Sequence, residues 1–338
     1  MRLLNYHWSR GGEFLSDRLV KFGVTHIFSI PGSQVLPVWD ALNLNRVKLV
    51  VPRSERNSAF IAEGYGRASG FPAVVMSTLG PGVANELVGI YSSKLSNSPV
   101  LFLSPYQPPY KYKRMGEVFQ GLDHPLFSKR VSKKNFLVEN YRELPYVLDN
   151  AFSECLKEPM GPVRVDISFP ILFNRYLFKA KKPSIRVSPK PPEDGIFFIF
   201  ETKNDVERHK SSLEKLGISN LVSEKNVFWP GIGGTINEFY PGFGFDSGAG
   251  FGIPFALGVK FAFPKTPLIL MTDLDSLFGN LDSFVVAVKH NLTVNLISKK
   301  KEVEKVSDNL GVGFLTLKNI NNLKENLLTK ENLSVIIW

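Results

Sequence analysis

Short runs of β-branched and aromatic residues alternate along this chain with longer amphipathic stretches, and no other feature limits the fold as strongly. The runs are Thr25–Ile30, Val47–Pro52, Ala73–Thr78, Pro99–Ser104 and Val163–Ser168, then Ile196–Glu201, Leu268–Asp273, Val294–Ser298 and Ser334–Trp338. Continuous apolar runs of this length fit strands buried on both faces, as in parallel sheets. Helical periodicity falls between them, at residues 11–22, 54–70, 82–95, 143–157, 249–263 and 279–290. Strand–helix alternation predicts an α/β fold built on doubly wound parallel sheets. The chain has 338 residues, and at roughly 150 residues per domain two such units are expected.

A composition shift marks where they divide. Residues 179–192 hold four prolines and five lysines or arginines in fourteen positions, with neither helical nor strand periodicity. This reads as a partly extended linker. The expected organisation is a first unit over 1–172, a linker over 173–195 and a second unit over 196–338. The net charge of +10 points to an anionic partner, without choosing between a phosphate-bearing ligand, nucleic acid and a membrane surface. Cys155 is the single cysteine, so the chain has no internal disulfide framework. With no signal-peptide pattern in residues 1–10 and only a short apolar segment at 255–263, a cytoplasmic protein that does not enter membranes is expected.

Two strand-to-helix turns carry the pattern of a ligand site. Gly80-Pro81-Gly82 lies between the run Ala73–Thr78 and the following helix, and Pro31-Gly32-Ser33 ends the run Thr25–Ile30. Such turns let a ligand approach backbone N–H groups and a helix dipole, or simply reverse the chain. In an open sheet they would meet at a crevice beyond the carboxyl ends of the strands. Glu55 opens the helix after Val47–Pro52; it could be a helix-terminal charge, or a carboxyl placed to hydrogen-bond a heterocycle. The stretch 228–254 holds eight glycines, suiting a dinucleotide turn weakly and close helix packing equally. Residues 105–134 carry seven Lys or Arg among aromatics, which fits a solvated loop better than a nucleic-acid surface because no nucleic-acid motif surrounds it. The five histidines have no metal-ligand spacing.

Read as an ensemble, these segments resemble acetolactate synthase (acetohydroxyacid synthase) large subunits of the thiamine-diphosphate enzyme family. The resemblance runs through Gly12–Ser33, Arg53–Arg56, Ala62–Gly70, Gly80–Asn85, Phe119-Gln120, Lys133 and Gly161–Ile167. It makes the first unit similar to a pyrimidine-binding domain. Gly250–Gly258 makes the second similar to a diphosphate-binding domain, with 196–224 as the remnant of a middle domain. The resemblance implies thiamine diphosphate as cofactor and a 2-oxo acid such as pyruvate as substrate. Glu55 would hydrogen-bond the aminopyrimidine and so promote loss of the thiazolium C2 proton. Phe119, Gln120 and Lys133 would face the substrate. Pro31, Gly32, Gly80, Pro81, Gly82, Asn85, Ala249 and Gly250 would line the cofactor. Because the cofactor of this family lies between two chains, a homodimer or homotetramer is implied, with a paralogous subunit as the other arrangement. Loss of the middle domain argues against FAD.

The resemblance fails where the family binds Mg²⁺. Alignment places Asp273-Leu274-Asp275-Ser276 over the family's metal-binding loop, with Leu274 at the metal aspartate. It places Lys300-Lys301 over the asparagine pair. Neither leucine nor lysine offers the oxygen ligands Mg²⁺ requires, so no metal residues are assigned. Two alternatives follow. Lys300 and Lys301, with Asp273, Asp275 and Ser276 nearby, hold a diphosphate directly; or the chain is a degenerate homologue acting as a non-catalytic binding or regulatory subunit.

Overall fold

The computed structural model describes residues 6–44, 47–107, 120–179, 197–200, 227–228, 251–265, 268–271, 279–292, 295–298, 313–316 and 334–337. The first unit begins with β1 (Tyr6–Arg10), α1 (Gly11–Phe22), β2 (His26–Ser29), α2 (Leu36–Leu44) and β3 (Lys48–Val50). It continues through α3 (Glu55–Ser69), β4 (Ala73–Met76), α4 (Pro81–Leu95), β5 (Val100–Tyr106), α5 (His124–Val131) and β6 (Lys134–Val138). It ends with α6 (Leu144–Leu156), β7 (Val163–Ser168), α7 (Phe169–Phe173) and β8 (Arg175–Lys179). Six strands form one sheet in the order β3-β2-β4-β5-β7-β6, every pair parallel. This is the α/β architecture the alternation predicts.

The reason is visible in burial. Every residue of β4, β5 and β7 is buried, which requires helices on both faces of the sheet. Phe22 of α1 stacks on Phe152 of α6 with ring centroids 4.4 Å apart. Gly89 of α4 lies against Ala59 of α3. Local signals end the helices where expected: Ser54 Oγ accepts the Asn57 N–H at the start of α3, and α1 stops at Gly23, whose φ is +102°.

Residues 175–179, which fall in the expected linker, form β8 and pair antiparallel with β1 along Tyr6–Arg10. Alternation of polar and apolar residues is weak in both strands, and a two-stranded ribbon at the edge of a domain leaves little pattern in sequence.

The second unit contains β9 (Phe197–Phe200), β10 (Val227–Phe228), α8 (Gly252–Ala262), β11 (Leu268–Met271), α9 (Leu281–Lys289), β12 (Asn295–Ser298), β13 (Gly313–Thr316) and β14 (Ser334–Ile337). Its strands form a second parallel sheet, β10-β9-β11-β12-β14-β13. Among the described residues no helix is long and apolar enough to cross a membrane.

Candidate active site

Both turns singled out in the sequence emerge at the carboxyl ends of neighbouring strands, β2 and β4. Gly80 closes the second turn with φ +72°, a conformation that disfavours other residues. A side chain there would also strike Gln120, whose Cα lies 2.8 Å from the ideal Cβ position. Gln120 therefore lies directly on the turn. Its Oε1 accepts a hydrogen bond from Gln34 Nε2 at 3.1 Å, which joins it to the segment that follows Pro31 and Gly32. Gly32 is packed against Thr78, just before Gly80.

Glu55 is the first residue of α3, half-buried, with Ser54 capping the helix behind it. Its Oε2 accepts from Asn85 Nδ2 at 3.0 Å. Oε1 faces the other side of the turn, where a methyl group on Gly82 would sit 3.4 Å away. Glu55 is thus a helix-terminal charge stabilised by the dipole, with its carboxylate beside the glycine turn. The structure brings together Gly32, Gly80, Pro81, Gly82, Asn85, Glu55 and Gln120.

Lys133 is not brought there. It stands at the start of β6, on the far edge strand, whereas the turns lie at the carboxyl ends of β2 and β4 in the same parallel sheet. Its ammonium donates to the carbonyl oxygens of Glu154, at 2.7 Å, and of Lys157. It caps the end of α6, where cations favour the helix dipole. Phe119, Ala249, Gly250, Asp273, Asp275, Ser276, Lys300 and Lys301 lie outside the described residues.

The second unit covers α3 from behind. Where α3 and α8 cross, Gly64 meets the Phe255 carbonyl and Gly258 meets the Ile61 carbonyl, so close that a Cβ on either would fall within 2.0 Å of oxygen. Phe60 stacks on Phe251 at 4.0 Å, and Asn57 Nδ2 donates to Asp282 at 2.8 Å and Ser283 at 3.2 Å. These contacts begin two residues after Glu55. They come from the same chain.

Sequence reasoning missed a buried ionic cluster on the other side of the turn. Arg164 of β7 is fully buried and donates to Glu86 of α4 at 3.2 Å, to Asp166 at 2.8 Å and to Ser104 at 2.6 Å. His124 Nδ1 lies 3.0 Å from Asp166. Burial opposes charge on Asp166, but the guanidinium and His124 override it and hold the carboxyl below its ordinary value. Burial pushes Glu86 up to about 8 despite Arg164, and lowers His124. The signal was available: Arg164 and Asp166 occupy alternate positions of a run otherwise read as apolar, so one face of that strand had to bury charge with partners.

Residues 9–126 match the family model for the thiamine pyrophosphate enzyme, N-terminal TPP binding domain. Over 158 residues the chain is 36% identical to the mitochondrial catalytic subunit of acetolactate synthase from Aspergillus candidus. Over 144 residues it is 35% identical to acetolactate synthase from Bacillus subtilis, and over 158 residues 34% identical to the isozyme 1 large subunit from Escherichia coli. The N-terminal unit resembles the acetolactate synthase-like thiamine pyrophosphate enzymes. The matches take in 46%, 43% and 46% of this chain, but only 22%, 25% and 28% of those relatives.

Proposed function

We propose that this chain binds thiamine diphosphate at the Gly80 turn and, when the site is complete, decarboxylates or ligates a 2-oxo acid such as pyruvate. The observation that carries the proposal is the placement of Glu55 across that turn from Gln120, with one carboxylate oxygen held by Asn85 and the other directed at Gly82. An aminopyrimidine is a flat heterocycle needing one carboxyl at its ring nitrogen and close backbone approach, and this donor set suits it. When bound, thiamine diphosphate supplies the electron sink for carbon–carbon cleavage beside a 2-oxo group. Glu55 orients the ring and exchanges a proton at its carboxyl. Asn85 fixes the carboxylate rotamer, and Gln120 and Gln34 offer amide donors to the substrate side. Lys300 and Lys301 are proposed to hold the diphosphate in place of a metal, with Asp273, Asp275 and Ser276 alongside; Mg²⁺ and FAD form no part of this reading.

Assembly into a homodimer or homotetramer belongs to the same proposal. The exposed stripe Val88, Tyr91 and Leu95 on α4 supports it, because an apolar face at helical spacing favours a second copy. The second reading is a non-catalytic binding or regulatory subunit, working beside a paralogous chain. Leu274 and the Lys300-Lys301 pair favour it.

Calorimetric titration with thiamine diphosphate separates the two. Saturable binding without Mg²⁺ that weakens at least tenfold in Glu55→Gln supports the proposal. No heat at millimolar ligand would sink it in favour of the non-catalytic subunit.

A further inference from the structure

The positive charge of the chain is concentrated. Residues 1–12 and 174–192 hold eight Lys or Arg and no Asp or Glu, against a net charge of +10 for the whole chain. The fold joins these two stretches, because β1 and β8 pair along Tyr6–Arg10 and Arg175–Lys179. Residues directly opposite one another in an antiparallel ribbon share a face. One face therefore carries Tyr6 with Lys179, Trp8 with Leu177, and Arg10 with Arg175. The other carries Ser9 and Phe178, both buried, and Tyr176, half-buried. Phe178 stacks on Phe14 of α1 at 4.2 Å, and Tyr176 on Tyr141 at 4.3 Å. Those contacts fix which side of the ribbon is turned outward.

On the outward face Trp8 is 67% exposed and Tyr6 46%. Arg10, Arg175 and Lys179 are exposed, and Leu177 is half-buried opposite Trp8. Rings this open forgo the gain from burial, and no carboxylate in either strand offsets the three cations. An apolar centre rimmed by cations complements an interface that is apolar and anionic together. The headgroup layer of an anionic bilayer is such an interface: Trp and Tyr rings settle at headgroup level, and Lys and Arg are drawn to negative lipid. Nucleic acid would engage the rings and the cations but would leave Leu177 without a use. We propose that the outward face of the β1–β8 ribbon is a docking surface for an anionic phospholipid bilayer. Docking of this kind needs no spanning segment, because the chain lies on the membrane with Tyr6 and Trp8 among the headgroups. None of the residues proposed to hold thiamine diphosphate takes part.

The test is co-sedimentation of the full chain with vesicles, either phosphatidylcholine alone or phosphatidylcholine mixed with phosphatidylglycerol. The chain is expected to sediment with the mixed vesicles only, and to be released at high salt. Arg175→Glu combined with Lys179→Glu should weaken binding by roughly twentyfold, since each cation near such a surface contributes about fivefold. Trp8→Ser should weaken it by roughly fivefold. These three side chains are exposed, so an unchanged thermal midpoint shows that each variant is folded. No sedimentation with either vesicle, equal sedimentation with both, or binding that both variants leave intact overturns the proposal. Salt-dependent binding of single-stranded RNA without vesicle binding also overturns it, and assigns the face to nucleic acid instead.

Discussion

Helices α3 and α4 both begin at the candidate site, one with Glu55 and the other beside Asn85, yet their buried faces are held in different ways. The face of α3 that meets α8 is a dry crossing: two glycines against two carbonyls, and one ring on another. The inner face of α4 ends on charge, where Glu86 meets Arg164, itself paired with Asp166 beside His124. A crossing fixed by shape resists changes of pH and fails when volume is added. A cluster fixed by charge tolerates little loss of a partner and responds to pH. The site sits between the two, so each can be broken separately.

The largest effect is expected at the charged face. Arg164→Met leaves Glu86 and Asp166 buried without a cation and should cost about 3–5 kcal/mol in urea unfolding. Adding Glu86→Leu and Asp166→Leu should restore most of that loss, since replacing a whole buried ionic group with apolar residues is often neutral. A triple variant as unstable as the single one would mean that shape, not charge, holds α4.

The dry crossing comes next. Gly258→Ala puts a Cβ 1.9 Å from the Ile61 carbonyl and 2.7 Å from the Tyr65 N–H, so α8 must move off α3. A loss of about 1–3 kcal/mol is expected, together with faster amide exchange in α8. Unlike the variants at Arg164, this loss should be the same at pH 6 and pH 8. A clear pH dependence would erase the distinction between the two faces.

The smallest effect sharpens the comparison near α3. His26 is held down at about 4 by burial, with Lys48 and His290 adding to it. The unfolded chain takes up this proton near its ordinary 6.5 and the folded chain only near 4, so stability falls as pH drops from about 6.5 to 4. His26→Phe should flatten that limb of the acid-unfolding curve, and an unchanged limb would refute the assignment.

Much of the scaffold was legible before any coordinates. The run Val163–Ser168 is β7 residue for residue, and 11–22 is α1. Burial on both faces writes an uninterrupted apolar run, and helix ends carry their own capping chemistry. Missed elements were those without such marks: α2, α5 and α7, the edge strands β6, β10 and β13, and the β1–β8 ribbon. At the site, the turns and Glu55 were readable because glycine and a helix-opening carboxylate are local signals. Gln34 was not, because its partner Gln120 lies 86 residues away. Lys133 misled because a lysine near a family motif in sequence can still point to the wrong end of a parallel sheet.

The alternation of apolar runs and amphipathic stretches fixed the α/β layering, since burying a strand on both faces leaves few other solutions. It also placed two glycine turns at the carboxyl ends of neighbouring strands. Only the tertiary structure decided that α8 of the same chain closes over α3, and that Arg164, Asp166 and Glu86 share one buried site. Such pairings depend on which distant backbones approach within a few ångströms and which buried charges find each other, and no local pattern records either.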